Sequence, residues 1–417
     1  MSLPILKSIF VGKPLYYARR LLIGCALITA ALAQEVIVTA PQEQILPDVL
    51  RPLDQPPVYS RPGGPGETPF QAGSLRLRPH VQYRYVHASG LTAAPGQQVD
   101  SEINSLSAGV TLDVGKYWGV DYTPSWTYYS SAAYRDTVDH NVVVRGATVY
   151  DDWVLSFAET FSISSPTLIE TAQQTKQRAW STQVGTIYSF NELLQLETTG
   201  NLNELYTDIS PDMRDWSLTN WLSSKFARDI DGALGLVIGY TDIVGLPDRT
   251  YQQYLARANW RFTQKLTLSV SGGLDVRHSK TSNVADLKNP LFQLSLGYRP
   301  FDTTTITVTG SRTVSNSYFV DEVTDGSQVN INLEQRLFGK LFLSTGYSHY
   351  ETDYNSTTVN SPITRSDSIN SFNARLTTQL FQRLTVAAVY QSSKNNSSLE
   401  AFTFSSNQYG LELGFRY

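Results

Sequence analysis

The sequence predicts an all-β protein: a transmembrane antiparallel up-and-down β-barrel of about 18 strands, with 16 as the alternative. Three observations predict it. From Ser74 onward, apolar and polar residues alternate in segments of about ten residues, the pattern of strands with one greasy and one wet face. Eight short turns of one kind separate those segments. The chain then stops on an alternating strand that ends in an aromatic residue, Tyr417. Low charge (17% of residues) and 12% aromatics fit a protein with a second apolar face to cover.

Residues 1–33 read as a secretory signal peptide. Lys7, Lys13, Arg19 and Arg20 precede the mostly apolar run Leu21–Leu32, and Ala31 and Ala33 supply the small residues that place cleavage after Ala33. The run is too short to span a membrane as a helix, which takes about 20 apolar residues. Leu22–Cys25 has the letters of a lipidation box, but four apolar residues separate Arg20 from Cys25, so the inserting stretch lies on the wrong side of that cysteine. Cleavage leaves 29 basic and 37 acidic side chains, net −8, and no cysteine. That balance argues against a nucleic-acid partner. A single Cys builds neither a disulfide framework nor a metal cluster.

Residues 34–73 form a Pro-rich tail, read as a periplasmic linker, with eight prolines that keep such a stretch from building a core. Within it, Glu35–Ala40 resembles the short energy-coupling box of receptors driven by the TonB protein. That resemblance implies a strand able to add to a periplasmic partner's sheet. Only about 33 residues separate this box from the barrel, whereas those receptors carry a large plug between the two.

The barrel is assigned to 74–417. Leu75, Leu77, Val81, Tyr83 and Tyr85 share one parity in the first strand; Arg76, Arg78, His80, Gln82 and Arg84 share the other. The same alternation returns at 118–128, 266–277 and 292–299. Tight turns fall at 114–117, 150–153, 190–193, 226–233, 262–266, 301–306, 338–341 and 381–384, a hairpin repeat of roughly 40 residues. An even strand count puts both chain ends on the periplasmic side. Two stretches resist a clean register, 157–163 and 214–225, where Glu159 and Asn220 fall on the nominal lipid face.

Tyr409, Leu411, Leu413, Phe415 and Tyr417 alternate with Gly410, Glu412, Gly414 and Arg416. This segment resembles the C-terminal insertion signal that barrel-assembly machinery reads in bacterial outer-membrane barrels. That family usually ends in Phe; here the last residue is Tyr.

With the apolar parity toward outer-membrane lipid, the pore-lining positions include Arg76, Arg78, Arg84, Arg257, Arg261, Asp275, Arg277, Arg299, Glu334, Arg336, Arg375, Glu412 and Arg416. This is a polar lumen with a cationic tilt. The arginines either guide an anion or pair with neighbouring acids, as Arg336 and Glu334 are spaced to do. No enzyme, cofactor or metal site is expected. Asp139-His140 is the one adjacent acid–His pair, and neighbours on a strand point to opposite faces.

Residues 74–417 resemble the putative β-barrel porin type 2 family of Gram-negative bacteria, in the opening Leu75–Tyr85 segment, the short turns, the Ser/Thr/Asn-rich strands and the aromatic end. The resemblance implies an outer-membrane conduit for exopolysaccharide or capsular polysaccharide, with periplasmic polysaccharide-export proteins as partners. The residues themselves imply a wide polar barrel. A general diffusion porin for small polar or anionic solutes, and a plugged structural or binding barrel, remain alternatives. Every expected outer loop is short, about 6–15 residues, so no loop is expected to narrow the lumen. An unconstricted lumen favours export or plugging by the tail.

Overall fold

The computed structural model describes residues 70–245, 248–279, 287–317, 322–356, 363–381 and 383–417. The expected signal peptide with Ala31 and Ala33, the box Glu35–Ala40 and nearly all of the Pro-rich tail lie outside the described residues.

Among the described residues, eighteen long strands follow one another: β1 (Leu75–Ala94), β2 (Gln97–Val114), β3 (Trp118–Tyr129), β4 (Thr137–Tyr150), β5 (Trp153–Ser164), β6 (Gln177–Ser189), β7 (Leu194–Thr207), β8 (Met213–Ala227), β9 (Ile230–Ile243), β10 (Arg249–Thr263), β11 (Leu266–Ser279), β12 (Leu287–Phe301), β13 (Thr304–Asn316), β14 (Glu322–Leu337), β15 (Leu341–Ser356), β16 (Ile363–Leu380), β17 (Leu384–Ser397) and β18 (Phe404–Arg416). Each pairs antiparallel with its neighbours in sequence, and β18 pairs with both β17 and β1, so the sheet closes into a barrel. Closure matters because an open edge in hydrocarbon leaves backbone groups unpaired at several kcal/mol each.

The eight tight connections fall where the sequence places them. Left-handed residues turn several of their tips, among them Gly115, Asp151, Phe338 and Phe381. Phe338 and Phe381 stand 93% and 89% exposed there, as aromatic anchors at the membrane edge. Short turns mark the periplasmic end of such barrels. The same end holds Phe70, whose ring lies 6.3 Å from that of Tyr417.

Large apolar side chains of one parity point outward all round, among them Leu77, Tyr122, Leu155, Leu218, Leu236, Tyr254, Leu294, Ile331, Phe372 and Leu413. Aromatic pairs such as Trp153–Tyr188 (4.5 Å) and Phe161–Trp180 (4.3 Å) mark the two ends of the apolar band on this side. Glu159 and Asn220 do face outward. Each is bonded across the ladder: Thr182 Oγ1 donates to Glu159 Oε2 at 2.6 Å, and Thr198 Oγ1 to Asn220 Oδ1 at 2.9 Å. A cross-strand hydroxyl is what lets a polar side chain sit on that face.

The interior corrects one expectation. The loop between β5 and β6, residues 165–176, is not an outer loop that leaves the lumen open. It folds inward as a small hairpin, with Thr167 opposite Gln174 and Leu168 opposite Gln173. Its tip is among the most buried parts of the molecule: Leu168 is 0% and Ala172 2% exposed. Twelve residues look too few to constrict a barrel. Yet each arm of about six extended residues reaches roughly 20 Å, enough to cross much of the interior.

Candidate functional site

The site is the constriction that this hairpin makes in the loop-end half of the lumen. Its base is closed by the Thr175 N–H, which donates to the Pro166 carbonyl at 2.9 Å. Its tip lands on β16. Arg365 Nη1 donates to the Glu170 carbonyl at 2.7 Å, and Nη2 to the Ile169 carbonyl at 3.2 Å. The same guanidinium is fixed by Asp367, to which Nε donates twice at 2.9 Å and Nη2 donates a very short bond. Its faces meet Phe402 at 3.7 Å and Tyr354 at 4.6 Å. Side chains of Arg365 and Asp367 are 4% and 0% exposed. A buried arginine is stable only with such pairing and donor use. Ile169 packs with Ile369, Phe404 and Tyr350. At the tip Ala172 holds φ 53°, a left-handed backbone that costs a non-glycine residue about 1–2 kcal/mol.

Two further elements complete the constriction. Between β3 and β4, Tyr134 turns into the barrel and packs on the inward residues Val86, Ala88, Leu91 and Ile103. Its hydroxyl donates to the Thr92 carbonyl at 2.5 Å. Burial pushes this phenol up to about 12, offset in part by a hydrogen bond to Thr167 of the hairpin, so it stays neutral at any physiological pH. Nearby, Arg135 and Gln174 exchange bonds: the Arg135 N–H donates to Gln174 Oε1 at 2.9 Å, and Gln174 Nε2 to the Arg135 carbonyl at 3.0 Å.

On the far side, the end of the β13–β14 hairpin leaves the wall. Among the described residues, the β12–β13 register stops at Phe292 opposite Arg312, although both strands continue. Val314 and Val323 are buried there. A second arginine holds this piece: Arg277 Nε donates to Asp275 Oδ1 at 3.0 Å, and Nη2 to the Val314 carbonyl at 2.6 Å. The two inward pieces meet where the Ser317 hydroxyl donates a very short bond to the Glu170 carboxylate.

The sequence-assigned pore residues lie on the inward parity, and their pairing is uneven. Arg78 Nη2 is 2.8 Å from Asp113 Oδ1, and Arg76 stands opposite Asp113 in register. Glu412, 3% exposed, takes ion pairs from Arg375 (2.5 Å) and Arg84 (3.4 Å), and Gln82 donates to it at 3.3 Å. Arg257 Nη2 donates to both oxygens of Glu197 (3.0 and 3.2 Å) and lies 4.6 Å from the Trp221 ring. Asp275 takes Arg277 and also Gln253 at 2.7 Å. Arg336 does not donate to Glu334 as the spacing suggested: its Nε and Nη2 bond the turn carbonyl of Gly339 at 3.0 and 2.9 Å. Glu334 stands opposite Thr305 and Ser344. Arg261, Arg299 and Arg416 lie toward the turn end of β10, β12 and β18. The outward set Tyr409, Leu411, Leu413 and Phe415 is 41–58% exposed. Asp139 and His140 take opposite faces: the His140 ring pairs with Tyr122 at 3.0 Å on the outside, whereas Thr137 Oγ1 reaches Asp139 Oδ2 at 3.5 Å.

Sequence reading missed Arg365, Asp367, Glu170, Tyr134, Ser317 and Arg145. Two signals were there to find. Leu168-Ile169 is an apolar pair inside a predicted outer loop, and Arg365-x-Asp367 puts opposite charges on one face of a strand end.

Among solved structures, the fold is similar to OccAB3 of Acinetobacter baumannii (TM-score 0.48, 11% identity, 83% of this chain and 100% of that one). It is also similar to Pseudomonas aeruginosa OpdK with vanillate (0.44, 12%, 82% and 99%) and to the siderophore receptor PirA from P. aeruginosa (0.46, 9%, 82% and 80%). Likeness at that level carries no information on the solute. Comparison with curated proteins gives no match. The model of the family described as Putative beta-barrel porin 2 matches residues 246–417. The resemblance read from the sequence is therefore matched across β10–β18, where the chain is similar to that family, and the closed 18-strand fold is that of a bacterial outer-membrane barrel.

Proposed function

We propose that the protein is a passive channel for small polar solutes, with a preference for anions, and that the hairpin 165–176 sets its size limit. The observation that carries this reading is the hairpin tip clasped by Arg365 on the opposite wall. A bare barrel of this strand number encloses an aqueous channel. An inward hairpin pinned at both ends removes part of that cross-section and leaves the opening beside the hydroxyl- and amide-rich wall of β6–β13. There Gln183, Asn201 and Ser217 bond one another along the inner face, as do Ser181 and Asn203.

The conduit for exopolysaccharide implied by the family resemblance requires this hairpin to leave the lumen, and no contact described above favours that movement. Cleavage after Ala33, engagement of the terminal strand by barrel-assembly machinery, and a linker role for residues 34–73 belong to the same proposal.

Liposome swelling with saccharides of increasing length tests it. Mono- and disaccharides should enter rapidly, and rates should fall steeply for longer chains. Entry of long oligosaccharides at rates close to those of monosaccharides would instead select the polymer conduit.

A further inference from the structure

Inward arginines divide into those that have a carboxylate and those that do not. Arg78, Arg84, Arg257, Arg277, Arg365 and Arg375 each have one. Arg145 and Arg416 have no side-chain partner among the described residues, and they share one wall, β18 to β4, in the turn-end half of the lumen. Arg416 stands opposite His80 in register, and Arg145 opposite Gly119.

The floor between them is recessed. A Cβ on Gly109 would come within 2.4 Å of His80 Nε2 and 2.6 Å of Thr123 Oγ1. Glycine there lets the His80 ring lie across β2 and meet Thr123 at 2.9 Å. The nearby carboxylates are already engaged. Asp113 has Arg78. Asp121 accepts from Thr111 Oγ1 at 2.5 Å on one oxygen and from Thr123 Oγ1 at 2.8 Å on the other, with His80 Nδ1 4.0 Å away. Arg416 lies close enough to Arg78, Arg145 and Asp121 for their charges to act on it. Two guanidiniums therefore face lumen water over a glycine floor, with Asp113 already paired to Arg78 and Asp121 already bonded to two threonine hydroxyls.

We infer that Arg145 and Arg416 form an anion subsite that takes the carboxylate or phosphate group of a passing solute. The planar guanidinium fork matches both groups with paired N–H donors, which a lone ammonium cannot do. The subsite rests on the channel reading above and gives it a substrate class: small organic acids and phosphorylated solutes. It also relocates the selectivity. Arg257, one of the arginines assigned to the pore from the sequence, is neutralised by Glu197.

The test uses the full chain in planar bilayers, with citrate as blocker and a KCl gradient for selectivity. Arg145→Gln should weaken citrate block at least about tenfold, the loss of one charge-assisted bond, and lower the chloride preference. Arg416→Gln should do the same, provided heat-modifiable mobility shows that it assembles. Arg145→Lys should recover the selectivity but only part of the citrate affinity. The charge-balanced control Arg257→Gln/Glu197→Gln should leave both at wild type. Wild-type block by citrate in Arg145→Gln, or an equal loss in the control, overturns the subsite. A failed size limit in swelling with intact citrate block would sink the hairpin reading and leave the subsite standing.

Discussion

Deleting residues 167–174 is expected to raise single-channel conductance severalfold while the barrel still assembles. The cut is placed where the chain already closes. Pro166 and Thr175 are joined by a backbone hydrogen bond at the hairpin base, so removing the eight residues beyond them leaves a four-residue connection between β5 and β6. None of the eighteen ladders uses the deleted residues. A gentler variant isolates the clasp. Arg365→Gln alone would strand Asp367, a carboxylate 0% exposed, and breaking a buried pair from one side costs about 3–5 kcal/mol. The neutral swap Arg365→Gln/Asp367→Asn avoids that lone charge and still removes the guanidinium that holds the Ile169 and Glu170 carbonyls. It should give a conductance between wild type and the deletion, with more current noise as the tip comes free. Equal conductance in all three proteins would mean that the hairpin does not bound the narrowest section.

The contrast between wall and hairpin explains what the sequence could and could not reveal. Wall residues obey a period of two, and one face must meet lipid, so a slip of a single residue would put Leu155, Leu218 or Leu294 into water. That constraint makes strand identity, turn positions and closure readable from the chain. The inward hairpin obeys no period. Its path is set by a few long-range contacts: Arg365 with residues 169 and 170, Ser317 with Glu170, and Arg135 with Gln174, partners 39 to 196 residues apart. Loop length alone was the wrong guide, because two short arms suffice to cross a barrel. Charge pairing was equally hidden. Arg257 and Glu197 lie 60 residues apart in the chain, so composition shows a cationic tilt without showing which cations are compensated.

Removal of Phe415-Arg416-Tyr417 is expected to abolish assembly. β18 is the closing strand, and its last residues pair on both sides: Phe415 with Val81 of β1 and with Leu384 of β17, and Arg416 with His80. The Tyr417 N–H donates to the Pro79 carbonyl at 3.1 Å, and the Arg416 N–H to the Arg383 carbonyl at 3.1 Å. Truncation would strip these partners from two strands at the membrane edge, where each orphaned backbone group is costly and an unpaired edge invites association with other chains. The departure from a terminal Phe is accommodated by packing rather than by the hydroxyl. The Arg383 guanidinium lies 3.6 Å from the Tyr417 ring centre, and Phe70 and Phe415 each stand 6.3 Å away. Tyr417→Phe keeps that ring and should assemble as wild type. Tyr417→Ala loses a cation–π contact of about 0.5–1 kcal/mol at an exposed site, together with the Phe70 contact, and should assemble poorly rather than not at all. Heat-modifiable mobility on gels ranks the three variants. Full assembly of the truncated chain would show that closure of the sheet does not depend on its last three residues.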